Sequence, residues 1–256
     1  MFADEAPGPL SGSANATTLV IAIDGPSGSG KSTVARRVAA ALRLRYLDTG
    51  AIYRALTWAV LDRSVDPDNI DAVLAVAGVA QIRVSTDPLA QAVSVNGRDV
   101  AAAIRGPEVT GAVSAVSAIP QVRERLVALQ RAIIGAGGIV VEGRDIGTVV
   151  APDSPVKIFL TASPETRAAR RSADADVSIG DRDVSTVQSD LARRDTLDST
   201  RAASPLAMAP DAVQLDSTAM DEDAVVARVL DLVAQRSREL ASSSHSTGQG
   251  AWTDEA

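Results

Sequence analysis

Between residues 19 and about 240 the chain alternates between two hydrophobic rhythms. Short apolar runs at 19–24, 138–142, 156–161 and 212–216 have the length of buried strands. Stretches at 31–42, 163–171, 186–197 and 221–237 instead carry apolar residues at helical spacing, as Val34, Val38 and Ala41 do in the first. Strands that are apolar on both faces and alternate with helices predict an α/β fold, a parallel sheet covered by helices on both faces. Helix starts are marked by Ser163-Pro164-Glu165, with its N-cap, N1 proline and acidic first turn, and by Asp221-Glu222-Asp223. Residues 64–106 break the rhythm. They read as a helix, a strand at Gln81–Ser85 and a hairpin centred on Asn96-Gly97 between Val93/Val95 and Val100. A small α+β subdomain inserted at the rim of a core made by 19–63 and 107–240 accounts for them. A separate domain is the weaker alternative, because the segment is short and holds few large apolar residues. The aperiodic Ser/Gly/Ala/Thr-rich ends, 1–18 and 241–256, are expected to be disordered.

Composition removes several chemistries. Aromatic residues are 2% of the 256, so the core must be aliphatic. There is no cysteine, and the one histidine, His245, lies in the tail, which leaves no thiol nucleophile, histidine base or Cys/His zinc site. Phosphoryl transfer survives this loss, since it depends on positioning, Mg²⁺ and positive charge. A net charge of −7 disfavours a nucleic acid polymer or an anionic membrane as partner. No apolar run reaches membrane-spanning length, and the first eighteen residues lack a signal peptide's basic and apolar regions. A cytoplasmic protein is expected, and a monomer, because no long apolar face or heptad repeat appears.

Residues 25–32, Gly-Pro-Ser-Gly-Ser-Gly-Lys-Ser, fit the G-x-x-x-x-G-K-[ST] phosphate loop without a mismatch, between a strand and a helix as that motif requires. The predicted sheet is thus of the P-loop NTPase type. Gly25, Gly28 and Gly30 free the backbone so that amides of Pro26-flanked Ser27, Ser29 and the residues up to Thr33 can turn around ATP phosphates at a helix N-terminus. Lys31 then reaches the β/γ-phosphates and the Ser32 hydroxyl is positioned to ligate Mg²⁺.

Lys31 and Lys157 are the only lysines, and among the arginines that supply the remaining positive charge several gather where a phosphotransferase would need them: Arg54, Arg123, Arg144, the group Arg167/Arg170/Arg171 and the group Arg193/Arg194/Arg201. Guanidinium groups bind phosphate oxygens in bidentate fashion, and several on one site would offset a triphosphate plus a phosphorylated acceptor. Asp198 stands four residues after Arg194 and three before Arg201, which fits either one ligand-facing helix surface or an ion-pair ladder. Glu142-Gly-Arg-Asp-Ile-Gly-Thr148 follows a strand and should face the same crevice as the phosphate loop, with Arg144 for phosphate and Asp145 for an amino group. A tight turn closed by an Arg–Asp pair fits the same residues. Asp48-Thr49-Gly50-Ala-Ile-Tyr53-Arg54 places three donors at a helix start and suits a second phosphate, although Tyr53 also fits as core filler.

Taken with Pro-Val-Lys-Ile-Phe-Leu (155–160) and Arg-Asp-Thr-Leu-Asp-Ser-Thr-Arg (194–201), these motifs resemble, in order from about 19 to 237, the bacterial cytidylate kinase family of P-loop nucleoside monophosphate kinases. The resemblance implies transfer of the ATP γ-phosphate to CMP or dCMP, with 64–106 an NMP-binding subdomain and about 172–185 a lid. It implies that Thr49, Tyr53, Arg54 and Arg144 hold the CMP phosphate. Ser114, Arg123 and Asp145 would read cytosine, Arg194 and Asp198 would bind the ribose, and Arg170 and Arg201 would neutralise the moving phosphoryl group. The lid departs from the family pattern, and leaves open whether Arg170 or Arg171 is the finger. Two other readings stand beside this one: a P-loop kinase for UMP or a small hydroxy acid, and a nucleotide-binding switch without catalysis.

Overall fold

A computed structural model describes residues 18–173 and 184–246. The expected disordered ends, apart from Thr18 and 241–246, and lid residues 174–183 lie outside the described residues. Five parallel strands form the central sheet: β1 (Val20–Asp24), β2 (Arg45–Asp48), β6 (Ile139–Gly143), β7 (Val156–Thr161) and β8 (Val213–Asp216). Their order is β2-β6-β1-β7-β8, so β1 is central and flanked by β6 and β7. A second, antiparallel sheet joins β3 (Ile82–Val84), β4 (Val93–Val95) and β5 (Arg98–Asp99). Asn96 and Gly97 turn that hairpin with φ values of 51° and 82°, the left-handed pair a two-residue connection requires.

Alternate residues of each central strand serve different layers, as the two-residue repeat demands. Ile21, Ile23, Val140, Ile158 and Leu160 pack against α1 (Lys31–Leu42) and the Val225/Val229/Val233 face of α8 (Glu222–Ser246). Ala22, Leu47, Ile139 and Val141 point the other way, to α2 (Thr49–Leu61) and α5 (Pro120–Ile134). That second cluster continues into α3 (Ile70–Val79), β4 and α4 (Pro107–Ala118), so residues 64–106 share apolar packing with the sheet-facing layer. The remaining helices, α6 (Pro164–Ala173) and α7 (Val184–Thr200), pack on each other through Ala168, Val187 and Leu191. The structure departs from the sequence pattern in three places. β2, α4 and α5 lie where no element was assigned, α7 extends beyond 186–197 at both ends, and α8 continues past 237 to Ser246.

Candidate active site

All the phosphate-loop residues from Ser27 to Thr33 line one cavity of about 690 Å³. Two backbone constraints set the loop. Gly25 has φ of 148°, and a Cβ there would lie 2.0 Å from the Leu160 carbonyl oxygen. Gly28 has φ of 77° and packs on the Arg167 backbone. Only glycine fits either position. The Lys31 ammonium donates to the Pro26 carbonyl at 2.6 Å and lies 3.4 Å from Ser29 Oγ. Burial and neighbouring Arg144 hold its pKa below the usual lysine range, against the pull of Glu142, Asp24 and Asp195. Ser27 is gripped by both of its peptide groups: its N–H donates to Asp195 Oδ1 at 3.2 Å, and its carbonyl accepts from Arg167 Nη1 at 3.2 Å. Arg167 and Asp195 are themselves ion-paired.

The other end of the cavity is built from α2, α4, α5, α7 and the turn after β6. Thr49 begins α2, where Asp48 caps the helix by accepting from the Ala51 N–H at 2.9 Å. The Thr49 hydroxyl donates to the Glu142 carbonyl at 2.7 Å. Arg54 is held by Thr110 Oγ1 at 2.9 Å and by the Ile104 carbonyl. Burial, then Arg194, Arg171 and Arg105, pull the Arg54 pKa down to about 9. Arg194 falls to about 10 through burial and Arg144. Arg144 spans to the donor side, donating to Asp198 Oδ2 at 2.9 Å and to the Gly25 carbonyl at 3.1 Å. Asp198 is held below the usual carboxylate range by Arg144, Arg201 and Arg194 against its own burial.

Asp145 is paired with Arg123 at 2.5 Å and lies 3.8 Å from Arg201. The Arg123 guanidinium stacks over the Tyr53 ring at 5.2 Å, and Ser114 completes this wall of the cavity. Four donors stand buried here with no hydrogen-bond partner: Arg123 Nε, Arg194 Nε, Arg201 Nη2 and the Tyr53 hydroxyl, which approaches the Gln130 amide without closing a bond. Buried donors left open at a cavity wall are what a polar ligand would satisfy. The sequence-named residues Lys31, Ser32, Thr49, Tyr53, Arg54, Ser114, Arg123, Arg144, Asp145, Arg170, Arg194, Asp198 and Arg201 all border this one cavity, whereas Gly25 and Pro26, at the start of the loop, do not line it.

Arg170 borders the cavity beside the phosphate loop. Its guanidinium donates to the Ser29 and Met220 carbonyls and to both Ser217 oxygens, at 2.8–3.3 Å. It therefore braces the turn between β8 and α8 against the phosphate loop. Arg171 is the lid-side arginine whose charge is felt by both Arg54 and Arg194.

Glu142 and Tyr46 were not singled out as site residues from the sequence. Tyr46 donates its hydroxyl to Glu142 Oε1 at 2.5 Å, and Ser32 and Glu142 line the same cavity. Burial, with Asp48 beside it, pushes the Glu142 carboxyl well above the usual range. A dication fits this set: a loop hydroxyl, a buried carboxylate and a second carboxylate nearby are the hard oxygen donors that Mg²⁺ takes. Among the described residues no three Asp, Glu or His cluster as a metal cage, so phosphate oxygens and water would complete the shell. The acid at the end of an apolar strand beside β1 was the available signal for Glu142. Tyr46 gave none, because β2 is only four residues long.

A phosphate loop at the end of the central strand, sharing one cavity with a second cationic pocket, defines a P-loop phosphotransferase. Residues 21–235 match the family model described as cytidylate kinase. The chain belongs to the cytidylate kinase family. It is 54% identical over 221 residues to a cytidylate kinase of Mycobacterium avium, covering 86% of this chain and 96% of that one. A cytidylate kinase of Streptomyces avermitilis is 50% identical, with 85% and 94% covered. A gluconokinase structure from Sinorhizobium meliloti superposes with a TM-score of 0.44 at 16% identity, covering 90% of this chain and 99% of that one, a likeness too slight to argue from. No helix among the described residues is long and apolar enough to cross a membrane.

Proposed function

We propose that this chain transfers the γ-phosphoryl group of ATP to CMP or dCMP, giving ADP and CDP or dCDP. The observation that carries the reading is the buried Arg123–Asp145 pair opening on the same cavity as the phosphate loop. Cytosine offers an exocyclic amino group where uracil offers a carbonyl. A buried carboxylate facing that position is satisfied by the first and left unpaired by the second.

Lys31 exchanges the Pro26 carbonyl for donor phosphate oxygens, with the loop amides around them. Thr49, Tyr53, Arg54 and Arg144 hold the acceptor phosphate, Ser114, Arg123 and Asp145 the base, and Arg194 and Asp198 the ribose. An acceptor oxygen attacks the γ-phosphorus in line as ADP leaves, and the arginines meet the charge spread over the equatorial oxygens. Arg201, with one nitrogen unbonded, suits that role. Arg170 supports it from the donor side by fixing the turn at Ser217 and Met220. Ser32 and Glu142 would hold Mg²⁺, which when bound neutralises and orients the donor phosphates. In this reading 19–63 and 107–240 form the kinase core, 64–106 carries the acceptor-side rim and 172–185 is the lid. One chain supplies both anion sites, so the enzyme acts as a monomer, and free nucleotides as substrates make the cytoplasm its place of work.

The test is ADP formation from ATP–Mg²⁺ with CMP, dCMP, UMP, AMP, GMP, shikimate and gluconate offered separately. CMP and dCMP should exceed every other acceptor. Turnover confined to another acceptor, or none, would overturn the proposal.

A further inference from the structure

We infer that Asp24, the last residue of β1, is a positioning residue for acceptor recognition, its carboxylate fixing the Arg144–Asp145 turn against the strand that delivers the phosphate loop. The inference rests on the reading of Asp145 as the group that meets cytosine. Asp24 is 5% exposed. Its Oδ1 accepts from the Ile146 N–H at 2.8 Å and its Oδ2 from the Gly147 N–H at 2.8 Å. Those peptides directly follow Asp145 and open the π-helical turn Ile146–Val150. Gly25, the first residue of the phosphate loop, directly follows Asp24. One side chain therefore joins the start of the donor loop to the acceptor-reading turn.

The contact needs an ionised acid. Both carboxylate oxygens accept, and each faces a peptide N–H. An asparagine of the same shape would turn its amino group on one of those donors, losing a bond and setting donor against donor. The rest of the turn offers no substitute: Ile146 is buried beneath Gly143, and Gly147 lies on the Lys157 stem. The charge is retained at a cost, since burial, then the nearby Asp145, raises the Asp24 carboxyl to about 6 against the two peptide bonds and Lys31. A residue that served only to fill space would not need it.

The experiment compares wild type, Asp24→Asn and Ser154→Ala. Ser154 is the stability control, because its hydroxyl sits within donating distance of the Val20 and Val156 carbonyls, 2.7 and 2.9 Å away, at the far end of β1 and shares its one proton between them. The measurements are kcat/KM for CMP and for UMP at saturating ATP–Mg²⁺, KM for ATP, and the unfolding midpoint. D24N should lower kcat/KM for CMP about 10- to 100-fold and narrow the CMP/UMP ratio about tenfold, the scale of one hydrogen bond to a charged group. KM for ATP should stay within about twofold, and S154A should lose stability with its ratio unchanged. Parallel loss of both acceptors in D24N, a KM for ATP rising with that for CMP, or a ratio that narrows equally in S154A would overturn the inference. A wild-type enzyme that does not prefer CMP would instead overturn the reading of Asp145, before any variant is compared. If D24N does not fold, the wild-type pH profile decides. Protonation removes one of the two acceptors, so the CMP/UMP ratio should fall as pH drops through about 6, with Asp145 and Lys31 the charged groups facing Asp24. The phosphate titration common to both acceptors cancels in that ratio, and a flat ratio from pH 8 to 5 would overturn the inference.

Discussion

Two aspartates near the tip of β1 are buried to the same degree and are stabilised in different ways. Asp24 is met by peptide dipoles, Asp145 by the full charges of Arg123 and Arg201. Their responses to an isosteric change should differ accordingly. Replacing Asp145 by Asn removes the partner of a guanidinium that is 3% exposed, and such a loss typically costs about 3–5 kcal/mol. In the proposed function the same change places an amide, able to donate or accept, opposite the group by which cytosine and uracil differ. Asp145→Asn should therefore unfold at a lower urea concentration than wild type and also narrow the CMP/UMP ratio by about 100-fold. A variant that loses stability while keeping the full ratio would leave Asp145 as a structural partner of Arg123 and remove it from base reading. Measuring both properties on one preparation separates the roles.

At the scale of elements, the junction of β1, β7 and the phosphate loop is the least tolerant part of the fold. Gly25 lies against the Leu160 backbone, and β7 cannot recede without giving up its pairing with β1 from Ile21 to Asp24. Gly25→Ala combines a clash against backbone with a positive φ, and should cost on the order of 3 kcal/mol in chemical denaturation. Near-wild-type stability would mean that the strands can part there. The motif around this junction was legible in the sequence because it is local, a strand, a glycine-rich loop and a helix between Val20 and Leu42. Lys31–Leu42 stands at the bounds that its spacing predicts. β2 escaped notice because Arg45 and Asp48 bracket only two buried residues. α4 escaped because Gly111 and two serines weaken its helical signature, even with Pro107 marking its start. The site was legible where motifs end strands. The bonds of Asp24 to Ile146 and Gly147 and of Tyr46 to Glu142 join positions about a hundred residues apart, and nothing in a linear pattern records such distances. Arg170 shows the converse. Its spacing places it correctly near the loop, yet its direction depends on the Ser217–Met220 turn, which only folding brings there.

Taken as a whole, the molecule carries a net charge of −7 and yet lines its single large described cavity with arginine. Burial and Arg194 depress the charge on Arg54, with Arg171 and Arg105 adding to the field there, and burial and Arg144 depress that on Arg194, whereas Asp198 and Asp195 sustain the charge of Arg144. The ligand-free enzyme therefore stores repulsion that anionic substrates relieve, so stability and binding are coupled through the same side chains. Removing one cation should move the two in opposite directions. Arg194→Ala should raise the unfolding free energy of the ligand-free protein on the order of 1 kcal/mol, the usual scale for relieving a strained functional site. The same variant should lose most of the stabilisation that saturating CMP and ATP give wild type, since that gain follows the logarithm of ligand concentration over Kd. Thermal unfolding with and without both nucleotides measures the two effects together. If the ligand-free variant were instead less stable than wild type, the attraction of Arg194 to Asp198 and Asp195 within α7 would outweigh the repulsion, and the cationic cavity would be held together by its own carboxylates rather than held ready for a ligand.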